Sequence, residues 1–465
     1  MQELEIRTDN VTAAPDPQLI PNAPLVGNAL QMAKDPGAFF IEMYQKYGPI
    51  FRIKILNKTY TVLAGPEASI FMSRHSSEFL RSKEFWQAMV EEFGASRLLV
   101  AEDGESHKRL RGVMQRGFAR SALNGRYDEV LAITDRVLTE EWQNGTEIPV
   151  VRAMQKLVTE QLGYITANRS AGEYVGDIRT FIKRVLDVRI THQRPGLMMY
   201  LPDYKKAKGR FFELGQDVLE NYQANPDKPT LLIDDLLAAS EADAVFMPQS
   251  DLVGVVLSPY VAGLDTVANT TASFVYAVLK HPDVLAKLQA EVDLIFAAGT
   301  PTPQTLKREM PVLYGALMET LRMYPIAVAA MRNATQDFVF QGHRVYAGEP
   351  LYMATAVSHF LPEFYPDPYT FDIERYQRPR AEHHQPGAYA PFGLGPHTCL
   401  GAGMAEVLMM LGMGRLFHQL DLALSPPDYD LKLDVAPTPG PELKFKVLVK
   451  GRRHETVGDT AVISI

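Results

Sequence analysis

The sequence holds one cysteine, Cys399, in 465 residues, so no intramolecular disulfide can form and no multi-cysteine zinc or iron–sulfur site can be built. An excess of positive charge is also missing. Lys and Arg number 47 against 55 Asp and Glu, a formal net charge of −8, which supplies none of the basic field that nucleic-acid binding requires. The first thirty residues contain no basic stretch followed by an apolar one, so neither a signal peptide nor a transmembrane anchor is expected, and a cytoplasmic location follows. Repeats, low-complexity tracts and long charge runs are absent, and the 32 prolines and 32 glycines are scattered rather than gathered in a linker. The chain therefore reads as one domain, 1–465. It also lacks a flavin or nicotinamide fingerprint.

What is present suits a large packed core, with 46% hydrophobic and 22% charged residues. Alternating apolar runs predict strands at Ile50 to Ile55 and Tyr60 to Leu63, then at Phe338 to Phe340 and Arg344 to Tyr346 about Gly342, and near Phe445 to Leu448. Helical patterns dominate from about Pro66 to Met323 and return over Ala402 to Leu416. The fold class is mainly α with small β-sheets, residues 21–64 and 333–450 contributing the β-rich parts.

The segment from Asp251 to Lys280, opened by Ser250 and closed by His281-Pro282, reads as one long helix crossing the molecule. Its apolar character also suits a membrane span. Pro259, Gly263, Asp265 and Asn269 interrupt the run, and a mid-span charge is costly. A buried helix, distorted where Pro259 removes a donor and Gly263 permits an opened turn, fits better.

Cys399 follows Phe392-Gly393-Leu394-Gly395-Pro396-His397-Thr398 and precedes Leu400-Gly401 and a helix. A lone cysteine is commonly a small buried hydrophobe. Here Gly393 and Gly395 allow a tight turn against a flat ligand, and the helix directs amides and its positive end at the sulfur, favouring thiolate. The stretch resembles the haem-binding loop of the cytochrome P450 family, with Phe, two Gly, a basic residue, Cys and Gly in matching order.

The resemblance implies a P450 fold, with haem b (iron protoporphyrin IX) between the long helix and the cysteine loop. It makes Cys399 the metal ligand, a thiolate that favours O–O cleavage. Phe392, Gly393 and Gly401 would shape the loop, and His397 would be a donor to a haem propionate or else an ordinary surface histidine. Ala262-Gly263-Leu264-Asp265-Thr266 is similar to the family's oxygen-binding segment. Monooxygen chemistry needs protons, and an acid beside a hydroxyl can relay them; Gly263 would open space above the iron. By itself such a threonine is more often back-bonded to its helix.

Glu319 and Arg322 share a helix face by i,i+3 spacing, as any surface ion pair might be placed. In the resemblance they form a buried structural triad with Arg375, after the Tyr365-Pro366-Asp367-Pro368 turn. His107, Arg111 and Arg332 match propionate partners. The helix Glu105 to Arg120 carries Lys108, Arg109, Arg111, Arg116 and Arg120, a solvated face or a dock for an acidic redox protein.

The likeness runs from the Pro21 to Gly27 segment through the last strands. The layout, including the Gln341-Gly342-His343-Arg344 turn, is more like the sterol-demethylase-like and eukaryote-like branches, but Asp265 stands where demethylases typically carry His. The implied activity is insertion of one oxygen atom from O2 into a lipophilic small molecule (fatty acid, terpenoid or steroid-like). Electrons would come from a ferredoxin and ferredoxin reductase or a similar donor, and the protein would act as a monomer. A peroxide-driven or redox-neutral haem-thiolate enzyme, or a non-catalytic haem protein, are the alternatives, against which the Asp265 and Thr266 pair argues. Candidate substrate-lining stretches are Phe85 to Leu99, Val185 to Leu201, Val255 to Thr266 and Ile326 to Met331.

Overall fold

In the computed structural model, which describes residues 4–454, the expected domain 1–465 extends outside the described range at both ends. Seven helices bear on the site: α1 Gly104–Phe118, α2 Val150–Ala167, α3 Val175–Val185, α4 Ser258–Lys280, α5 Pro282–Ala297, α6 Pro311–Met323 and α7 Ala402–Gln419. Proline stands in the first turn of α4, α5 and α6, where its missing N–H is no loss and its fixed φ suits the helix.

That proline accounts for the main departure from the expected helix. The run from Asp251 to Lys280 is not continuous: a four-residue turn, Leu252–Val255, is followed by a break at 256–257 before α4 starts at Ser258. Pro259 cannot donate to the carbonyl four residues back and its ring crowds it. Gly263 lies within regular helix, so the expected opened turn there is absent. The 23 residues of α4 span about 35 Å.

Two stretches, Gln249–Lys280 and Gly395–Gln419, are long and apolar enough to cross a membrane, but 61% of each apolar window is buried inside the protein. They are core helices here. The first half of α4 places Tyr260 and Leu264 in a cluster with Phe181, Phe211 and Leu214. Its second half places Ala268, Ala272 and Val275 in the largest cluster, with Leu157 of α2, Leu317 of α6 and Leu408 of α7.

The β structure is confined to small sheets. The largest runs Ile50–Ile55, Lys58–Ala64, Pro350–Ala354, Ala330–Ala334, Leu80–Arg81, antiparallel except for the pair Lys58–Ala64 with Pro350–Ala354. Ala330–Ala334 was not expected as a strand, because its buried position is filled by the charged Arg332. The hairpin Phe338–Phe340 and His343–Val345 turns through Gln341 and Gly342, both at positive φ (47° and 76°), the arrangement that matches strand twist in a two-residue loop.

Candidate active site

Cys399 sits where a tight loop meets the start of α7. The loop closes on itself through Cys399 N–H donating to the Phe392 carbonyl at 2.8 Å, and the Phe392 side chain packs at the edge of the largest cluster. Gly395 is indispensable to this path: its φ is +71°, and a Cβ there would lie 2.4 Å from the Met72 carbonyl oxygen and from Ser76 Oγ. Burial pushes the Cys399 thiol pKa up; the Gly401 and Ala402 amides at the mouth of α7 and the charge of Arg111 oppose this. The expected thiolate preference is therefore outweighed in the protein alone. A metal bonded to the sulfur would deprotonate it outright.

Although protein surrounds Cys399 closely enough to raise its pKa, its side chain is exposed. Both hold if the sulfur faces an interior space. The same pattern occurs on α4, where Ala262 and Thr266 are exposed between buried Tyr260, Leu264 and Ala268. Four residues apart, they share one helix face. The helix therefore leaves a short strip uncovered where it passes from one core cluster to the next. Thr266 Oγ1 donates to the Ala262 carbonyl at 2.5 Å. Asp265 points elsewhere, accepting from Gln155 Nε2 of α2 at 2.9 Å, and burial raises its pKa ahead of the opposing effects of Gln155, Lys183 and Arg179.

Gly263 does not open that space. A Cβ on it would stand 2.1 Å from Leu162 Cδ1 and 2.9 Å from Val158 Cγ1, so its missing side chain lets α2 approach α4. The reason lies in periodicity: one residue on from Ala262, position 263 is turned about 100° around the helix axis.

Two guanidiniums lie near the loop without a carboxylate at ion-pair distance among the described residues. Arg332 is 9% exposed, and its side chain donates only to the carbonyl of Met331, at 2.7 Å. Burial lowers the pKa of both Arg332 and Arg111. A buried cation such as Arg332 needs an anion, and a group with two carboxylates beside the Cys399 loop fits it and the half-buried Arg111. His107 is buried with its pKa pushed down to about 4, by burial first and then by His397 and Arg111.

His397, expected as a donor to such a group, has one ring nitrogen engaged within the protein. Its Nε2 lies 3.0 Å from Asp103 Oδ1, and its ring lies over His107 with centroids 4.1 Å apart. Asp103, which sequence reading missed, also accepts from the Ser82 and Lys83 amides, tying the start of α1 to the loop. The expected basic face of α1 is largely matched by the protein's own carboxylates: Arg109 with Asp243 at 2.8 Å, Arg116 with Asp235 at 3.0 Å and Arg120 with Glu406 at 2.7 Å.

Under the loop, Glu319, Arg322 and Arg375 come together as expected and are fully buried. Arg322 makes two bonds to Glu319, at 2.7 and 2.8 Å, and Arg375 Nε a third at 3.2 Å. The network is larger than a triad. Glu382 binds Arg375 at 2.9 Å, Tyr376 donates to Glu319 at 2.7 Å, and Arg380 joins Glu382 to Asp372. Three carboxylates thus offset three guanidiniums. Arg322 Nη1 donates to the His359 carbonyl at 2.6 Å, and His359 Nε2 accepts the Ala390 amide, two residues before Phe392.

The family profile described as Cytochrome P450 matches residues 17–445. A sterol 14alpha-demethylase of Mycolicibacterium vanbaalenii is 26% identical over 415 residues, covering 86% of this chain and 90% of that protein. An abscisic acid 8'-hydroxylase of Solanum lycopersicum is 26% identical over 402 residues, 83% and 82% of the two chains. Among solved structures, a cyanobacterial P450 with retinoic acid bound superimposes with a TM-score of 0.80 at 24% identity, covering 94% of this chain and all of that one. The haem domain of cytochrome P450DA gives 0.83 at 21% identity, with 95% and 98% covered. An exposed sulfur at a glycine-bounded loop, a helix strip facing open space and two guanidiniums without carboxylate partners thus occur on a fold shared with these relatives over most of their length, and the family profile spans most of the chain: the chain belongs to the cytochrome P450 family and is a haem-binding monooxygenase.

Proposed function

We propose that the protein holds haem b through Cys399 and inserts one atom of O2 into a lipophilic small molecule of fatty-acid, terpenoid or steroid-like type, with electrons from a separate ferredoxin-type donor. The observation that carries this reading is the uncovered Ala262 and Thr266 strip on a helix whose other faces are packed. Thiolate-ligated haem supplies dioxygen activation when bound. Arg111, Arg332 and His107 would hold its propionates, and Phe392, Gly393 and Gly401 would shape the loop beneath it. His397 would act through Asp103. Glu319, Arg322 and Arg375 would hold the loop in place.

On the other side, Thr266 moves a proton. At rest its hydroxyl donates to the Ala262 carbonyl, a geometry that keeps the oxygen oriented along the strip. Asp265, whose carboxyl pKa is raised by burial, is the acid that resupplies it. Ala262 leaves room beside the hydroxyl. The lining supports an apolar substrate: Ile326, Val328, Ala329 and Met331 are only partly covered although α6 and the strand flanking them are packed. Two relatives' names, which cite a sterol and abscisic acid, point the same way.

Turnover of a panel of fatty acids, terpenoids and steroids with ferredoxin, reductase and NAD(P)H, compared with hydrogen peroxide alone, tests this. Donor-driven product formation is expected, preceded by a low-to-high-spin shift on substrate binding. Efficient turnover with peroxide and none with the donor would sink it.

A further inference from the structure

We propose that Gln155 is a positioning residue for proton delivery: it holds the Asp265 carboxylate against α2 and joins it to Arg179 of α3, so that protons reach Asp265 from the α2 and α3 side. This rests on the proposed role of Asp265 and Thr266. Gln155 is 3% exposed and uses both ends of its amide. Nε2 donates to Asp265 Oδ1 at 2.9 Å, and Oε1 accepts from Arg179 Nη1 at 3.1 Å.

An apolar residue would satisfy this helix contact at lower cost, because a buried amide left without partners is expensive. The two partners fix the amide's orientation: an NH2 must face a carboxylate and the carbonyl must face a guanidinium. Arg179 has no carboxylate at ion-pair distance among the described residues; the charges nearest it are Arg152 and Asp265. Arg179 is itself only partly buried and Arg152 is exposed, so the chain Asp265, Gln155, Arg179 runs from α4 toward solvent. Lys183, one helical turn on from Arg179, also acts on Asp265 but is itself paired with Asp187 at 3.2 Å.

The arrangement separates acid from alcohol at rest. Asp265 bonds to Gln155 while Thr266 bonds to Ala262, and no hydrogen bond joins the two among the described residues. Delivery then requires Asp265, protonated from solvent on the α2 and α3 side, to leave Gln155. It gives its proton to Thr266 Oγ1 as Thr266 gives its own to a water in the open strip. One proton moves inward and both side chains end in their starting charge states once Asp265 is reprotonated.

The test is a titration of the haem-loaded protein and Gln155→Leu, each with and without Asp265→Asn, by the infrared carboxyl stretch and by the pH dependence of coupling between electron use and product. Losing the donated hydrogen bond destabilises the carboxylate. The Asp265 band and the acid limb of the coupling profile are therefore expected to move up by about one to two pH units, with no further movement from Gln155→Leu once Asp265 is Asn. Gln155→Glu, which keeps the acceptor for Arg179, is expected to move the band at least as far and covers failure of the leucine variant to fold. An unmoved band, or equal movement in the Asp265→Asn background, overturns the proposal. A moved band with an unmoved coupling profile supports the Gln155 contact and overturns the Asp265 and Thr266 relay beneath it.

Discussion

His359 accepts the Ala390 amide proton on Nε2 at 3.0 Å, with Nδ1 3.3 Å from the Arg322 carbonyl. One neutral imidazole therefore bridges the end of α6 to the segment leading into the cysteine loop. Only the neutral form can do this, since Nε2 must carry no proton. Burial, then the Arg322 charge, pushes its pKa down to about 3.

Acid should loosen the loop. Below the ordinary histidine value of about 6.5, the unfolded chain binds a proton that the folded protein refuses until about pH 3, so stability falls as pH drops through that window. At pH 5 the contribution is about 2 kcal/mol. Urea unfolding between pH 7.5 and 5 should show the loss, and His359→Gln should reduce the slope by about one proton; an unchanged slope refutes the assignment.

Glu319→Ala should strand Arg322 in the interior and leave Arg375 with Glu382 alone, a loss of about 3–5 kcal/mol. Haem should be lost with it, because the network underlies the loop. Full haem incorporation and an unaltered Soret maximum in the purified variant would contradict this.

Arg332→Leu separates binding from folding. Since Arg332 has no carboxylate partner among the described residues, the haem-free protein should be no less stable, whereas haem should dissociate about ten-fold or more faster if a charge-assisted bond to a propionate is removed. Transfer of haem to apomyoglobin measures the second quantity. Equal losses in both would assign Arg332 to the fold alone.

Neighbouring positions on α4 should respond in opposite ways. Gly263→Ala drives a methyl into Leu162 and Val158 and should cost about 1–3 kcal/mol. Ala262→Leu, on the uncovered strip, should leave the urea midpoint nearly unchanged and alter substrate-induced spin shifts.

Legibility in the sequence follows how far each feature depends on local pattern. The Cys399 loop, the Asp265 and Thr266 pair and the Glu319 to Arg322 spacing each lie within a few residues; the structure closes the loop at the start of α7 and buries the Glu319 and Arg322 pair, while Asp265 and Thr266 turn to different partners. His359, Asp103 and Gln155 were not found because each acts through partners that only tertiary folding supplies, 31 residues away for His359 and Ala390 and 110 for Gln155 and Asp265; Glu382, seven residues from Arg375, was missed because no shared helix sets that spacing. Gly263 was misread for a related reason. A glycine beside a functional pair has two faces to serve, and which helix occupies the empty side is not encoded locally. Likewise, the pairing of Arg109 with Asp243 and of Arg116 with Asp235, 134 and 119 residues away, was not legible in the local run of basic residues.

Cys399 is both the sole sulfhydryl and reachable from the interior space. A small thiol-selective reagent therefore has a single sulfhydryl to modify in the sequence, and it can do so only when no metal occupies that sulfur. The fraction of chains gaining one adduct in intact-mass measurements counts the empty molecules in any preparation, giving each of the variants above an occupancy gauge independent of colour.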